Sequence, residues 1–206
     1  MTGVETERKF LVKDDGFRAE AVEFHHLVQG YICRESGRTV RVRIADDRAY
    51  LTIKGRSSDS GMSRMEWEKE IPVEDARQLL TLCQGGVIDK TRYIVPASAP
   101  DSGTVQDGGT GFFGGCLHAD GPERIWEVDV FHGDNAGLVL AEIELGSEDE
   151  RFCRPVWLGE EVTGESRYYN SMLSECPCTK WMDAPVPNHD RFRDGNSSRY
   201  DRSDNQ

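Results

Sequence analysis

Polar and apolar residues alternate along most of this chain. Between Arg38 and Ile44, Val40, Val42 and Ile44 point one way and Thr39, Arg41 and Arg43 the other. That is the two-residue period of a β-strand with one buried face. The same period places Glu5, Glu7 and Lys9 together in Val4–Phe10, and Glu66, Glu68 and Glu70 together in Ser63–Ile71. Trp126, Val128 and Val130 oppose Glu127 and Asp129 in Ile125–Phe131. Val139, Ala141, Ile143 and Leu145 oppose Leu140, Glu142 and Glu144 in Leu138–Leu145. Further strands are expected at Leu27–Arg34, Ala49–Lys54 and Val87–Val95, the last carrying Lys90 and Arg92. Turns are expected at Glu35-Ser36-Gly37, Asp46-Asp47-Arg48 and His132–Gly137. Helical spacing is clear over Glu74–Cys83, where Ala76, Leu79, Leu80 and Cys83 share a face, Pro72 precedes and Gly85-Gly86 follows. Shorter helices are expected at Gly16–Val22, behind Asp14 or Asp15, and at Arg167–Leu173, and Ser147–Glu150 has the form of a helix start.

The charged faces are sorted by sign. Glu66/Glu68/Glu70, Glu127/Asp129 and Glu142/Glu144 are purely acidic, whereas Arg41/Arg43 and Lys90/Arg92 are purely basic. Sheets that show a charged face to water ordinarily mix signs, because like charges side by side cost roughly 0.2–1 kcal/mol per pair. Divalent cations would neutralise the acidic rows, and a polyphosphate the basic ones. In Val4–Phe10, Glu5 and Glu7 stand about 7 Å apart along the strand beside Lys9. The apolar faces still need cover, and helices can supply it from outside. A barrel with a charged, solvated lumen satisfies both requirements. Trp67 and Trp126 fall on the apolar side and are expected in the core, with Arg8 outside, opposite Lys9.

Composition narrows the reading. A chain of 206 residues suits one domain with a sizeable core. Its formal net charge of −12 argues against a nucleic-acid partner. With no apolar run of membrane-spanning length and no signal-peptide pattern, the expectation is a cytoplasmic protein that engages neither membrane nor nucleic acid. The six cysteines lack zinc-ligand spacing and are expected as free thiols. The glycine-rich stretch 97–123 is expected to be a flexible insertion and 176–206 a disordered tail. Residues 55–63, rich in Gly and Ser, are expected to be a mobile loop.

Glu5-x-Glu7-x-Lys9 resembles the ExExK signature of the CYTH domain, the triphosphate tunnel metalloenzymes. Arg41-x-Arg43, Lys54-Gly55, Glu66-x-Glu68-x-Glu70, Lys90-x-Arg92, Glu127-x-Asp129 and Glu142-x-Glu144 follow in the family's order, from about residue 3 to 175. The short bacterial-type members are the most similar; they also carry Gly30-Tyr31 and Lys90-Thr91-Arg92-Tyr93. The insertion at 97–123 and the tail depart from that pattern without touching a motif residue.

The resemblance implies an α+β fold: a closed eight-stranded antiparallel tunnel with helices packed outside, over residues 1–175. It implies metal-dependent hydrolysis of inorganic tripolyphosphate, with Mg2+ or Mn2+, two per site, on a monomer or homodimer. Adenylate cyclisation, hydrolysis of a nucleoside or thiamine triphosphate, and plain polyphosphate binding are the alternatives. Lys9, Arg41, Arg43, Lys54, Lys90 and Arg92 would hold phosphates. Glu5, Glu7 and Glu144 would hold one metal; Glu142, Glu127 or Asp129 would lie near a second metal or the attacking water. Lys90 with Tyr31 could alternatively position or deprotonate that water.

Overall fold

The computed structural model describes residues 6–35, 38–57, 64–97, 124–147, 150 and 152–181. Among them nine strands form one antiparallel sheet: β1 (Thr6–Val12), β2 (Glu23–Glu35), β3 (Arg38–Ala45), β4 (Arg48–Ser57), β5 (Arg64–Ile71), β6 (Ile88–Pro96), β7 (Ile125–Phe131), β8 (Val139–Leu145) and β9 (Leu158–Glu161). Their spatial order is β5-β4-β3-β2-β6-β7-β8-β1-β9. Each expected strand is present, and β2, β3 and β4 run longer than the alternation suggests.

The expectation of a closed eight-stranded barrel is corrected: the sheet is antiparallel and open. Closure would join β5 to the free edge of β1, and β9 occupies that edge. β9 is four residues long and meets β1 through a register shift between Phe10 and Val12. It therefore offers β5 little ladder to pair with. The sheet still curls, because residues from β3 and β4 line the same cavity as residues from β1 and β8.

Register explains the two faces. Arg41 stands opposite both Tyr31 and Thr52, and Arg43 opposite Gln29 and Tyr50. Lys9 stands opposite Glu142, and Glu127 opposite Glu142 on the other side. All of these point inward. The outward face of β1, β7 and β8 packs Phe10, Trp126, Val128, Ala141 and Ile143 against Phe17 and Trp157. Helix α1 (Phe17–Glu20) delivers Phe17 to this cluster. Helix α2 (Val73–Leu80) lays Ala76 onto Val42 and Ala49, covering the outside of β3 and β4. A Cβ on Gly30 would sit 2.6 Å from Cys83 Sγ, so glycine lets the end of this helical segment rest on β2. The turn between β3 and β4 puts Asp46 at φ 52°, a left-handed conformation that Asp tolerates better than most residues. Its Oδ1 accepts the His26 amide N–H at 2.9 Å.

A third cluster lies on the inward face. Ile88, Phe131 and Leu140 pack there with Val162, Tyr168, Leu173 and Cys178. The chain after β9 thus plugs one end of the curl, through a 3-10 turn at Ser166–Tyr168 and helix α3 (Asn170–Leu173). Order extends past the expected start of the tail at 176. A 3-10 turn spans Cys178–Lys180, and the Trp181 ring meets Tyr168 edge-on, centroids 5.4 Å apart. Of the loop expected at 55–63, residues 55–57 belong instead to β4; residues 182–206, 98–123 and 58–63 lie outside the described part, and with them the remaining readings of tail, insertion and loop.

Two smaller expectations are corrected. Trp67 is 46% exposed on edge strand β5, where Ile71 is the residue that packs against the cluster around Ala76 of α2, whereas Trp126 is fully buried. Cys33, Cys83, Cys176 and Cys178 are free, but Cys153 is disulfide-bonded; spacing alone says nothing about which thiols meet. The Glu150 carboxylate accepts the Gly146 amide N–H at 2.6 Å and pairs with Arg124; residues 148–149 of the helix start expected at Ser147–Glu150 lie outside the described residues. No helix among the described residues is long and apolar enough to cross a membrane.

Candidate active site

A cavity of about 480 Å3 lies inside the curl. Its walls bring together Glu7, Lys9, Tyr31, Arg41, Arg43, Lys54, Arg92, Glu127, Glu142 and Glu144, ten of the residues expected at a site, spread from position 7 to 144. Ile125, Ile143, Tyr169, Asn170 and Ser171 complete the lining. The last three come from α3 and the residue before it, which the strand pattern did not single out. The only signal for them was the short helix expected at Arg167–Leu173.

One wall is basic. Arg43 Nε donates to Gln29 Oε1 at 3.1 Å, and no carboxylate among the described residues lies within ion-pair distance of it. Burial, then repulsion from Arg41 and Arg92, brings its guanidinium down to about 10. Arg41 Nη2 donates to Thr52 Oγ1 at 3.1 Å and to the exposed Glu68 at 3.4 Å. Arg41 Nε is buried without a hydrogen-bond partner among the described residues. A buried donor left unmade is costly, and an anion in the cavity would satisfy it. Tyr31 accepts from Gln29 Nε2 at 3.2 Å; burial raises its phenol, against the pull of Arg41 and Arg43.

The other wall is mixed and internally paired. Lys9 Nζ contacts Glu142 Oε1 at 2.7 Å and Glu7 Oε1 at 3.3 Å, and lies 5.1 Å from the centre of the Tyr169 ring. Burial favours the neutral amine of Lys9, but attraction to Glu142 and Glu7 outweighs it and raises its pKa. Arg92 reaches Asp129, Glu127 and Glu142. Lys90 is completely buried, with Nζ 2.5 Å from Asp129 Oδ2 and 3.4 Å from Asn170 Oδ1. Burial lowers it to about 8 despite Asp129. Asp129 is held below the usual carboxylate range, because Arg92 and Lys90 outweigh its burial. Neither Lys90 nor Asp129 lines the cavity.

The donors suit a hard divalent cation. Glu7 faces Glu144, and Glu127 faces Glu142, directly across paired strands, the most unfavourable placement for like charges. Burial, then Glu142, raises Glu7 against the pull of Lys9 and Arg92. Carboxylate oxygens at a water-filled cavity are the ligand type that Mg2+ and Mn2+ prefer. Among the described residues no three His, Cys, Asp or Glu side chains are already gathered around a point. Glu5 lies outside the described residues.

Comparison with known proteins agrees with this geometry. The model of the CYTH domain matches residues 3–175. A protein of Acetivibrio thermocellus named inorganic triphosphatase is 42% identical over 176 residues, covering 85% of this chain and 96% of its own. One of Nitrosomonas europaea with the same name is 34% identical over 177 residues, covering 82% and 96%. The crystal structure of an inorganic triphosphatase superposes with a TM-score of 0.55 at 30% identity, over 82% of this chain and 93% of that one.

Proposed function

This chain belongs to the CYTH domain family, and from that membership we propose that it is an inorganic triphosphatase, hydrolysing tripolyphosphate to pyrophosphate and phosphate. The observation that carries the reading is the basic wall. Two neighbouring, largely buried arginines, one with no carboxylate within ion-pair distance among the described residues and the other with an Nε unsatisfied among them, face a cavity bordered by carboxylates. A small polyanion with several adjacent charges fits that wall, and a hydrated divalent cation fits the border.

Arg41, Arg43, Lys54 and Arg92 bind and align the phosphate chain, with the arginines suited to two-point contacts. Lys9, held between Glu7 and Glu142, places a further positive charge where the two walls meet. Glu7 and Glu144, with Glu5 two residues before Glu7 in sequence, would hold the metal, and Glu142 and Glu127 would border a second position; Mg2+ or Mn2+ is the expected ion. When bound, the metal neutralises phosphate oxygens and acidifies a coordinated water. Glu142, which borders the cavity, would orient that water or take its proton. Tyr31 stays a neutral hydrogen-bonding wall residue, since burial raises its phenol. Lys90 acts from behind the wall and not on the substrate, because it does not open onto the cavity.

The test is phosphate release in Mg2+ from tripolyphosphate, ATP and thiamine triphosphate, with cyclic AMP measured in parallel. Preferred cleavage of tripolyphosphate supports the reading. Preferred turnover of ATP or thiamine triphosphate, or formation of cyclic AMP, replaces it.

A further inference from the structure

Asp129 alternates in phase with Glu127, and on the strand pattern both belong to one row of ligand-type carboxylates. The structure separates them. Glu127 opens onto the cavity, whereas Asp129 is 1% exposed and does not. Asp129 Oδ1 accepts from Arg92 Nε at 2.7 Å, and Oδ2 accepts from Arg92 Nη2 at 2.7 Å. Oδ2 also accepts from Lys90 Nζ at 2.5 Å. Both oxygens are engaged, three donors converge on them, and what capacity remains faces no open space. Arg92, by contrast, lines the cavity and turns the rest of its guanidinium toward Glu127 and Glu142. A guanidinium held by a two-point fork cannot rotate about its own axis.

We propose that Asp129 is a positioning residue and holds no metal: it clamps Arg92 across Nε and Nη2, ties Lys90 to the same point, and acts on the phosphate chain only through Arg92. The inference rests on the triphosphatase reading of this cavity and assigns the acidic row two jobs. Carboxylates that border the cavity serve the metal, and the one sealed behind it sets the angle of the arginine. Asp129→Asn keeps the volume but replaces one acceptor oxygen by an NH2 group, which meets donors.

The test compares Asp129→Asn with wild type that releases phosphate from tripolyphosphate in Mg2+; inactive wild type would instead sink the functional reading itself. The expected result is a kcat lowered about 10²-fold, the usual consequence of a displaced catalytic contact. The Mg2+ concentration giving half-maximal rate stays unchanged. Arg92→Lys, which cannot form the fork, lowers kcat, and adding Asp129→Asn to it lowers kcat little further. A rise of about tenfold or more in the Mg2+ requirement, as loss of metal binding would give, overturns the proposal. So does independent addition of the two effects, or an unchanged kcat in Asp129→Asn. Should that variant fail to fold, crystals of wild-type protein soaked with Mn2+ decide the matter. Anomalous density at a bonding distance of about 2.0–2.6 Å from an Asp129 oxygen refutes the proposal, and density only at the cavity carboxylates, with the fork intact, supports it.

Discussion

The two walls of the cavity hold their charges in opposite conditions. On the side of β1, β6, β7 and β8, each buried cation meets carboxylates: Lys9 meets Glu142 and Glu7, Lys90 meets Asp129, and Arg92 meets three acids. On the side of β2, β3 and β4, Arg43 meets the neutral Gln29 amide and, among the described residues, no carboxylate within ion-pair distance. Arg41 leans on Thr52 and on the rim residue Glu68, with Nε unsatisfied. On the first wall folding pairs the cations and leaves the facing carboxylates for a metal. The second is finished by whatever anion enters. Pairing costs nothing further once made, whereas a lone buried guanidinium weakens the empty protein in exchange for affinity.

That contrast is open to attack by stability measurements. Glu142→Gln removes a charge that Lys9 holds at 2.7 Å and should lower the urea-unfolding free energy of the metal-free protein by about 3 kcal/mol, as for a broken buried pair. Arg43→Met replaces an unpaired buried cation with a side chain of similar size and should leave stability within about 1 kcal/mol of wild type, or above it. Equal losses in both variants would erase the distinction between the walls.

A smaller effect concerns the segment that holds both walls. Arg34 of β2 donates to Ser171 O at 3.0 Å and Ser174 Oγ at 2.9 Å. Asn135, beyond β7, bonds Leu173 O and accepts the Cys178 amide N–H. Ending the chain after Cys176 removes Cys178 and Trp181 and should lower Tm by about 5 °C. Ending it after Trp181 should leave Tm and turnover unchanged. If both truncations melt alike, residues 177–181 do not brace the cavity.

The smallest effect is in pH. Glu7 is raised above its ordinary value of 4.5, first by burial and then by Glu142. A carboxyl raised in the folded state binds its proton more tightly there than in the unfolded chain. Its contribution to stability is fully present below 4.5 and is lost as pH climbs through the folded value. Metal-free protein should therefore melt at lower temperature as pH rises out of that window, Glu7→Gln should show a shallower decline, and Mg2+ should offset the loss, because the metal binds the deprotonated form. Identical pH profiles for wild type and Glu7→Gln would remove Glu7 from the account.

Much of this was legible in the sequence, because period-two alternation assigns each strand residue to a face. Arg41, Arg43, Glu127 and Glu142 were placed inward on that basis, and they line the cavity. Alternation does not report what covers a face. Leu140 shares the inward face with Glu142, yet it lies under the C-terminal plug and is buried. Asp129, two residues from Glu127, is sealed off in the same way. Nor does alternation say whether a sheet closes. That depends on which strand takes the last free edge, and β9 is too short to announce itself. Trp67 shows the same limit: its pattern is that of a core residue, but it stands on the edge strand and is 46% exposed, while Ile71 on the same face of that strand packs against the Ala76 cluster.

The central claim, that Arg41 and Arg43 serve the anion and the carboxylates opposite them serve the metal, is tested most directly by measuring each ligand without the other. Tripolyphosphate binding is followed by calorimetry in metal-free buffer, and Mn2+ binding by the resonance of free Mn2+ without anion, for wild type, Arg43→Met and Glu7→Gln. The account predicts that Arg43→Met loses anion affinity about tenfold or more, the worth of a charged hydrogen bond, and keeps its Mn2+ affinity. Glu7→Gln should lose Mn2+ affinity and none of its affinity for the anion. Equal losses of both ligands in both variants would contradict it.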